Sequence, residues 1–429
     1  MRLIQSIKEI LAKPFLSLLS VVIFLTPLIM TNSTNELFEF PKMFFIYFTG
    51  IGIFSLFITG NLLKKSKIVW PSIFVITFLL SNIISTVFSS HPYTSVWGYY
   101  TRFNDGLLST LVFIAIYFVC KNRLKVDDYL HLMKVGALTV FPIGLIGIMQ
   151  HFGWETEIVD RVYSTIGQPN WLAQYLVMVL PFLLYLFVFE TSIFWGILFV
   201  IGFSCLWFTY SMSGIIGFVA VTLVFLGILI YKKSFSKISF LKFILIYLVC
   251  FIIAVSNLGL FKDRIVDTTK DLERAGVSLE NPDVSQSESQ KITEVSSNGY
   301  KVSDPGFIRL GLWKGSLNLF LSSPKVFLIG VGPETFPYAF QPFRLNSLNY
   351  SSEWDFVFNK PHNYYLEVLT ELGLVGLIAY LLILYSLAKK LPVYILPGFV
   401  GFMVTNLFGW PVVATSLLFW LWVSWAESN

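Results

Sequence analysis

The chain has 429 residues, 55% of them hydrophobic and 13% charged, with a formal charge of +5 and a mean hydropathy of +0.72. This balance excludes a soluble globular protein, and so small a charge excess on so apolar a chain excludes a nucleic-acid binder. What fits is an all-α polytopic membrane protein, with its many aromatic residues facing lipid and forming belts at the interfaces.

Crossing about 30 Å of hydrocarbon takes about 20 mostly apolar residues, and this template finds about twelve transmembrane helices. They run Phe15–Met30, Lys42–Leu62, Ile68–Phe88, Leu107–Cys120, Tyr129–Gln150, Asn170–Phe189, Ser192–Tyr210, Gly214–Tyr231, Phe240–Leu260, Tyr364–Leu387, Val393–Phe408 and Trp410–Ala426. The basic start, Met1 to Lys13, precedes an apolar run without a small-residue cleavage site, so the first helix reads as retained. With the N-terminus cytoplasmic, alternation puts Lys64/Lys65/Lys67, Lys121/Arg123/Lys125, Lys232/Lys233/Lys237/Lys242 and Lys389/Lys390 inside, together with the C-terminus. Every basic cluster then lies where the positive-inside rule requires. The other side receives Asn32–Pro41, Ser89–Gly106, His151–Pro169, the turn Ser211-Met212-Ser213 and the polar stretch Phe261–Pro361. The expected organisation is a transmembrane bundle over 1–260, one large extracytoplasmic loop over 261–361 that contains short amphipathic helices, and a second transmembrane part over 362–429. Cys120, Cys205 and Cys250 fall in or beside apolar runs, which leaves no disulfide framework and no cysteine metal site.

Within the large loop, Lys262–Pro305 is polar and poor in aromatic residues and reads as loosely packed. Phe307–Leu321 reads as a helix with Leu310, Trp313, Leu317 and Phe320 on one face and Arg309, Lys314 and Ser316 off it. Such a helix suits the membrane surface or the mouth of the bundle. Gly330-Val-Gly332-Pro333-Glu334 lacks the Lys-Ser/Thr of a phosphate loop and reads as a tight turn.

The extracytoplasmic connections carry Arg102, Arg161, Arg264, Arg274, Arg309 and Arg344. Guanidinium groups in such places solvate loops and meet lipid headgroups, and they also grip phosphate through paired hydrogen bonds. For Arg264 and Arg274, in the loose segment, loop solvation is the better reading. His362, in Pro361-His362-Asn363 against the next span, has the side chain whose pKa suits proton transfer near neutrality. It also has a plain alternative as part of a helix start, for which Asn363 is the better cap by type. No ligand-spaced His or carboxylate cluster accompanies it, so no metal and no cofactor is expected.

Together these fragments resemble the O-antigen ligase and Wzy-type O-antigen polymerase superfamily of bacterial integral membrane glycosyltransferases. The resemblance is carried by Arg309-Leu-Gly-Leu-Trp313-Lys-Gly-Ser-Leu, Pro324 with Gly330-Val-Gly-Pro-Glu-Thr-Phe336, and Pro361-His362-Asn363-Tyr-Tyr-Leu-Glu367 running into Glu371-Leu-Gly-Leu-Val-Gly376. Gly167-Gln-Pro-Asn170-Trp-Leu-Ala173 and Trp97-Gly98-Tyr-Tyr with Arg102 and Gly106 agree. The resemblance implies metal-independent transfer of a glycan from a polyprenyl (undecaprenyl) diphosphate donor to a glycan, lipid or protein hydroxyl acceptor, on the outer face of the cytoplasmic membrane. It implies His362 as general base and Arg309 at the diphosphate. By their place in the extracytoplasmic connections, Arg161 and Arg102 are further candidate diphosphate ligands, with Asn363, Asn170 and Trp313 as candidate supporting residues. Relatives commonly carry Ser-Arg where this chain reads Ser211-Met212, so the charge at that point has to come from elsewhere, Arg161 and Arg102 first. Protein O-glycosylation, small-anion transport and a non-catalytic role in a polysaccharide assembly complex are the competing readings. Against transport, the spans hold few ionisable residues.

Overall fold

A computed structural model of the chain describes residues 13–64, 67–154, 159–190, 192–231, 236–259, 261–262, 265–266, 269, 305–351 and 353–428. Arg264, Arg274 and nearly all of the loose segment lie outside them. Among the described residues every element is helical. Each predicted span coincides with a helix, in some places split in two. In chain order these are α1 Pro14–Leu25, α2 Glu39–Lys64, α3 Ile73–Val87, α4 Pro92–Trp97, α5 Leu107–Arg123, α6 Val126–Leu138 and α7 Val140–Phe152. There follow α8 Pro169–Phe189, α9 Ile193–Phe208, α10 Met212–Tyr231, α11 Lys237–Ser256, α12 Pro305–Phe320, α13 Pro324–Ile329 and α14 Phe336–Ala339. The chain closes with α15 Tyr364–Lys390, α16 Leu396–Thr405 and α17 Val413–Ser428. Among the described residues six helical stretches, against the about twelve expected, are long and apolar enough to cross a membrane: α2, α6 with α7, α8, α10, α11 and α15.

Two cores form. The larger joins the apolar helices, with α8 at its centre between α9, α10 and α16. The smaller gathers Phe307, Ile308, Leu312, Leu319, Val326, Val331, Phe336, Phe340, Leu348 and Phe358 from the polar region. Here α12 departs from the expected face. Its buried side is Phe307, Ile308, Gly311, Leu312, Gly315, Ser316, Leu319 and Phe320; of the expected face Phe320 is buried, Leu310 and Trp313 are half-buried and Leu317 is 45% exposed. The two glycines select this face. A methyl group on Gly311 would come within 2.6 Å of Leu348, and one on Gly315 within 2.7 Å of Phe340 and of the Phe343 carbonyl, so both positions mark close packing.

α15 is not one continuous helix. Gly373 (φ 69°, ψ −171°) breaks it after two turns, and the Leu328–Ile329 backbone fills the space beside the break, 2.4 Å from where a Cβ would stand. The carbonyls freed by the break are satisfied from outside: Val331 N–H donates to Thr370 O, and Gly332 N–H and the Ser85 hydroxyl donate to Glu371 O. Interrupted helices survive at membrane depth only where such partners exist. The Gly330–Glu334 stretch is therefore a turn, as expected, and one with a task. Gly373→Ala should cost about 1–3 kcal/mol from the left-handed backbone alone, before the clash with Leu328, and should lower the thermal midpoint of the purified protein. A midpoint equal to wild type would contradict this account of the break.

Glu39 and Lys42 are fully buried at the start of α2, and Glu367 and Glu371 lie in the first two turns of α15.

Candidate functional site

The site forms where three irregular segments meet the N-terminal ends of α8 and α15. The first precedes α8. Ser164 N–H donates to Gln150 Oε1 (2.8 Å), the Ser164 hydroxyl to Ile143 O (2.7 Å) and the Thr165 hydroxyl to Pro27 O (2.7 Å), while buried Lys42 donates to Thr165 O (2.8 Å). This connection is thus sunk into the bundle, where backbone groups need such partners. Gln168 caps α8 by accepting from Asn170 N–H and Trp171 N–H, with Pro169 in the first turn. Arg161 is thereby fixed: its Nε donates to Thr209 O and its Nη2 to Asn170 Oδ1, both at 2.9 Å. Asn170 Oδ1 also accepts from the Ser211 hydroxyl (2.8 Å). The Arg161 guanidinium therefore lies against the turn Ser211-Met212-Ser213, while Met212 packs on the apolar core.

The second segment, 98–106, brings in Arg102. Its guanidinium carbon stands 4.9 Å from the Trp171 ring centre and 5.8 Å from that of Trp410, and the Tyr47 hydroxyl holds the neighbouring Phe103 carbonyl (2.7 Å). Guanidinium groups on indole faces are attracted by the ring quadrupole.

The third segment leads into α15. Asn363 caps the helix, accepting from Tyr365 N–H (3.0 Å) and Leu366 N–H (3.2 Å). The capping role expected of its residue type is realised, which leaves His362 free of it. His362 takes a left-handed backbone (φ 54°), rare for a residue with a side chain. Its ring meets Trp410 edge to face at 5.1 Å. With Gln168, Asn170, Trp171, Gln174, Ser213, Thr405 and Trp410 it lines a pocket of about 20 Å³, room for about one water molecule. Burial first, and then the Arg309 and Arg102 charges, lower the imidazole pKa to about 3. The ring is therefore neutral near pH 7 but a weaker base than its residue type led one to expect, because burial and two guanidinium charges disfavour its protonated form.

His362 and Asn170 line one pocket, Arg102 stacks on its Trp171 and Trp410, Arg161 joins through Asn170, and Arg309 lies near enough for its charge to act on the His362 ring. Trp313 is not among the pocket residues; it packs, partly buried, on the smaller core. Arg344 is structural, donating to Trp354 O (2.7 Å) and Phe356 O (3.3 Å) and stacking on Phe358. None of the other histidines lines the pocket: His131 lies on α6, His151 stacks on Phe208 at 3.7 Å and His91 on Tyr338 at 4.2 Å.

One cluster lay beyond sequence reasoning. Lys360, 2% exposed, donates to Asp105 (3.2 Å), Glu334 and Glu367, and Glu371 accepts from Glu334 N–H (2.9 Å). The oxygens of Asp105, Glu334 and Glu367 are close enough to hold a metal ion together, but the Lys360 ammonium already bonds to all three. Burial alone would lower its pKa. The surrounding carboxylates outweigh burial and raise it well above the ordinary lysine value. These carboxylates are far apart in the sequence, and only the pair Glu367/Glu371, four apart on a helix, marks a shared face.

Residues 197–381 match the family model described as O-Antigen ligase (Wzy_C). The match covers less than half of the chain and contains Arg309, Lys360 and His362, whereas Arg102, Arg161, Asn170 and Trp410 lie outside it. Searches of curated proteins and of solved structures return no match.

Proposed function

From its O-antigen ligase domain, which places this chain in the O-antigen ligase and Wzy superfamily, we propose that it transfers a glycan from a polyprenyl (undecaprenyl) diphosphate donor to a sugar hydroxyl. The reaction occurs on the outer face of the cytoplasmic membrane, as the ligase or polymerase step of surface polysaccharide assembly. The observation that carries this reading is the convergence on one pocket of His362, of Arg102 stacked on Trp171 and Trp410, and of the Arg161–Asn170 pair.

In the proposed reaction the acceptor oxygen attacks the anomeric carbon while the bond from that carbon to the diphosphate oxygen breaks. The bonding electrons leave with the polyprenyl diphosphate, and the acceptor proton passes to a ring nitrogen of His362. Diphosphate is a good leaving group, and fixed guanidinium groups that neutralise its growing charge do the electrostatic part of the work. Attack from the side opposite the leaving group inverts the anomeric centre. Arg161 supplies the charge that Met212 lacks, because its guanidinium lies against the same turn. The pocket is too small for a sugar, so donor binding has to open it, and the irregular segments around it are the parts that can give way.

The low pKa of His362 has a defined consequence for pH dependence. The unprotonated base persists as pH falls and is lost only toward about pH 3 in the free enzyme. A bound diphosphate cancels part of the guanidinium field and raises this value, so the acid limb of kcat should lie at higher pH than that of kcat/KM. A kcat/KM limb at the ordinary imidazole value of about 6.5 would contradict this.

Transport gains one observation from the fold: α15 is broken, and a cavity of about 60 Å³ beside the break is lined by Asp105, Glu367 and Glu371. Interrupted helices with ionisable groups occur at transporter binding sites. Solute flux in liposomes without any lipid-linked glycan would favour that reading. A deletion strain separates the others: full-length glycan stranded on its lipid carrier indicates a ligase, and shortened surface chains indicate a polymerase.

A further inference from the structure

We propose that Lys360 is a positioning residue for the transfer reaction: its ammonium, clamped by Asp105, Glu334 and Glu367, fixes the strained backbone that carries His362 and so aims the ring. The inference rests on His362 acting as the base. The three carboxylates come from three separate parts of the chain: the segment before α5, the turn after α13 and the first turn of α15. One buried side chain therefore ties together the pieces that surround the site.

Only Pro361 and His362 lie between this clamp and the Asn363 cap. Proline fixes its own φ, which leaves the chain little freedom between two anchors. His362 needs such anchors, because a left-handed backbone at a non-glycine residue persists only where its surroundings over-determine it. Trp410 links the parts from the other side, with Lys360 Nζ 5.9 Å from its ring centre and the His362 ring 5.1 Å away. The charged groups acting on His362 are Arg309 and Arg102. Those around Lys360 are Asp105, Glu334 and Glu367, with Glu371 beyond them.

Removing Lys360 alone would leave three buried carboxylates unpaired and endanger folding. The informative variant joins Lys360→Met to Glu334→Gln and Glu367→Gln, which exchanges much of the clamp for uncharged side chains of similar size. Labelling of His362 by diethylpyrocarbonate, in a chain carrying His91→Gln, His131→Gln and His151→Gln, reads the state of the ring without any turnover. In the triple clamp variant the labelling midpoint should rise from about 3 toward the ordinary value of about 6.5. The charges that lower the His362 pKa are those of Arg309 and Arg102, which the variant leaves in place, so a rise reports movement of the ring out of its buried place and away from them. In the transfer assay kcat should fall on the order of 10²-fold, the scale expected for a displacement of about 1 Å, with the donor KM little changed. Lys360→Arg should retain most of both properties. An unchanged labelling midpoint in the triple variant would overturn the inference whatever the turnover. A raised midpoint with wild-type kcat would support the clamp and remove His362 as the base.

Discussion

Replacing His362 by alanine should lower kcat for glycan transfer by about 10²- to 10⁴-fold, the range over which a positioned general base acts. The protein should stay folded, because the helix cap belongs to Asn363 and the contacts of the ring are confined to the pocket rim. Donor binding should persist, since the guanidinium groups remain, and KM should change far less than kcat. That split marks an interaction made in the transition state alone. Transfer by the purified variant at more than about a tenth of the wild-type rate would remove His362 from the reaction, because so small a loss is below what a base contributes.

The second large effect belongs to Arg161. With Met212 unable to hold phosphate, Arg161→Ala should lower kcat/KM on the order of 10²-fold, comparable to loss of a preorganised oxyanion donor. Arg161→Lys should restore little, because an ammonium cannot span Thr209 O and Asn170 Oδ1 as the fork of Nε and Nη2 does. The informative comparison is Met212→Arg on the Arg161→Ala background, which returns a cation to the same turn. Recovery of transfer there supports Arg161 as the diphosphate ligand. Full activity of Arg161→Ala would limit this arginine to holding the connection in place.

The helices were legible because hydrocarbon imposes a length on apolar runs that few other constraints blur. The break at Gly373 was not, since an isolated glycine in an apolar run is common and the segment that fills the break lies more than forty residues earlier. On α12 the apolar periodicity pointed to Leu310, Trp313, Leu317 and Phe320, of which Leu317 is exposed, while close packing at Gly311 and Gly315 turned the most buried side toward the glycines. The spacing of four between these glycines was the signal available. His362, Arg309, Arg102 and Arg161 were legible as residue types at helix entrances. The Lys360 clamp was not, because Asp105, Glu334 and Glu367 meet only after folding, and a single lysine before Pro361-His362 carries no pattern of its own.

The most direct test is the release of polyprenyl diphosphate by the purified chain in lipid nanodiscs, supplied with a polyprenyl-diphosphate glycan and a sugar acceptor and followed by phosphorus NMR. The account predicts one diphosphate released per glycosidic bond formed, with release nearly abolished by His362→Ala. Glycan transfer without diphosphate release, or release at the wild-type rate from the His362 variant, would contradict it.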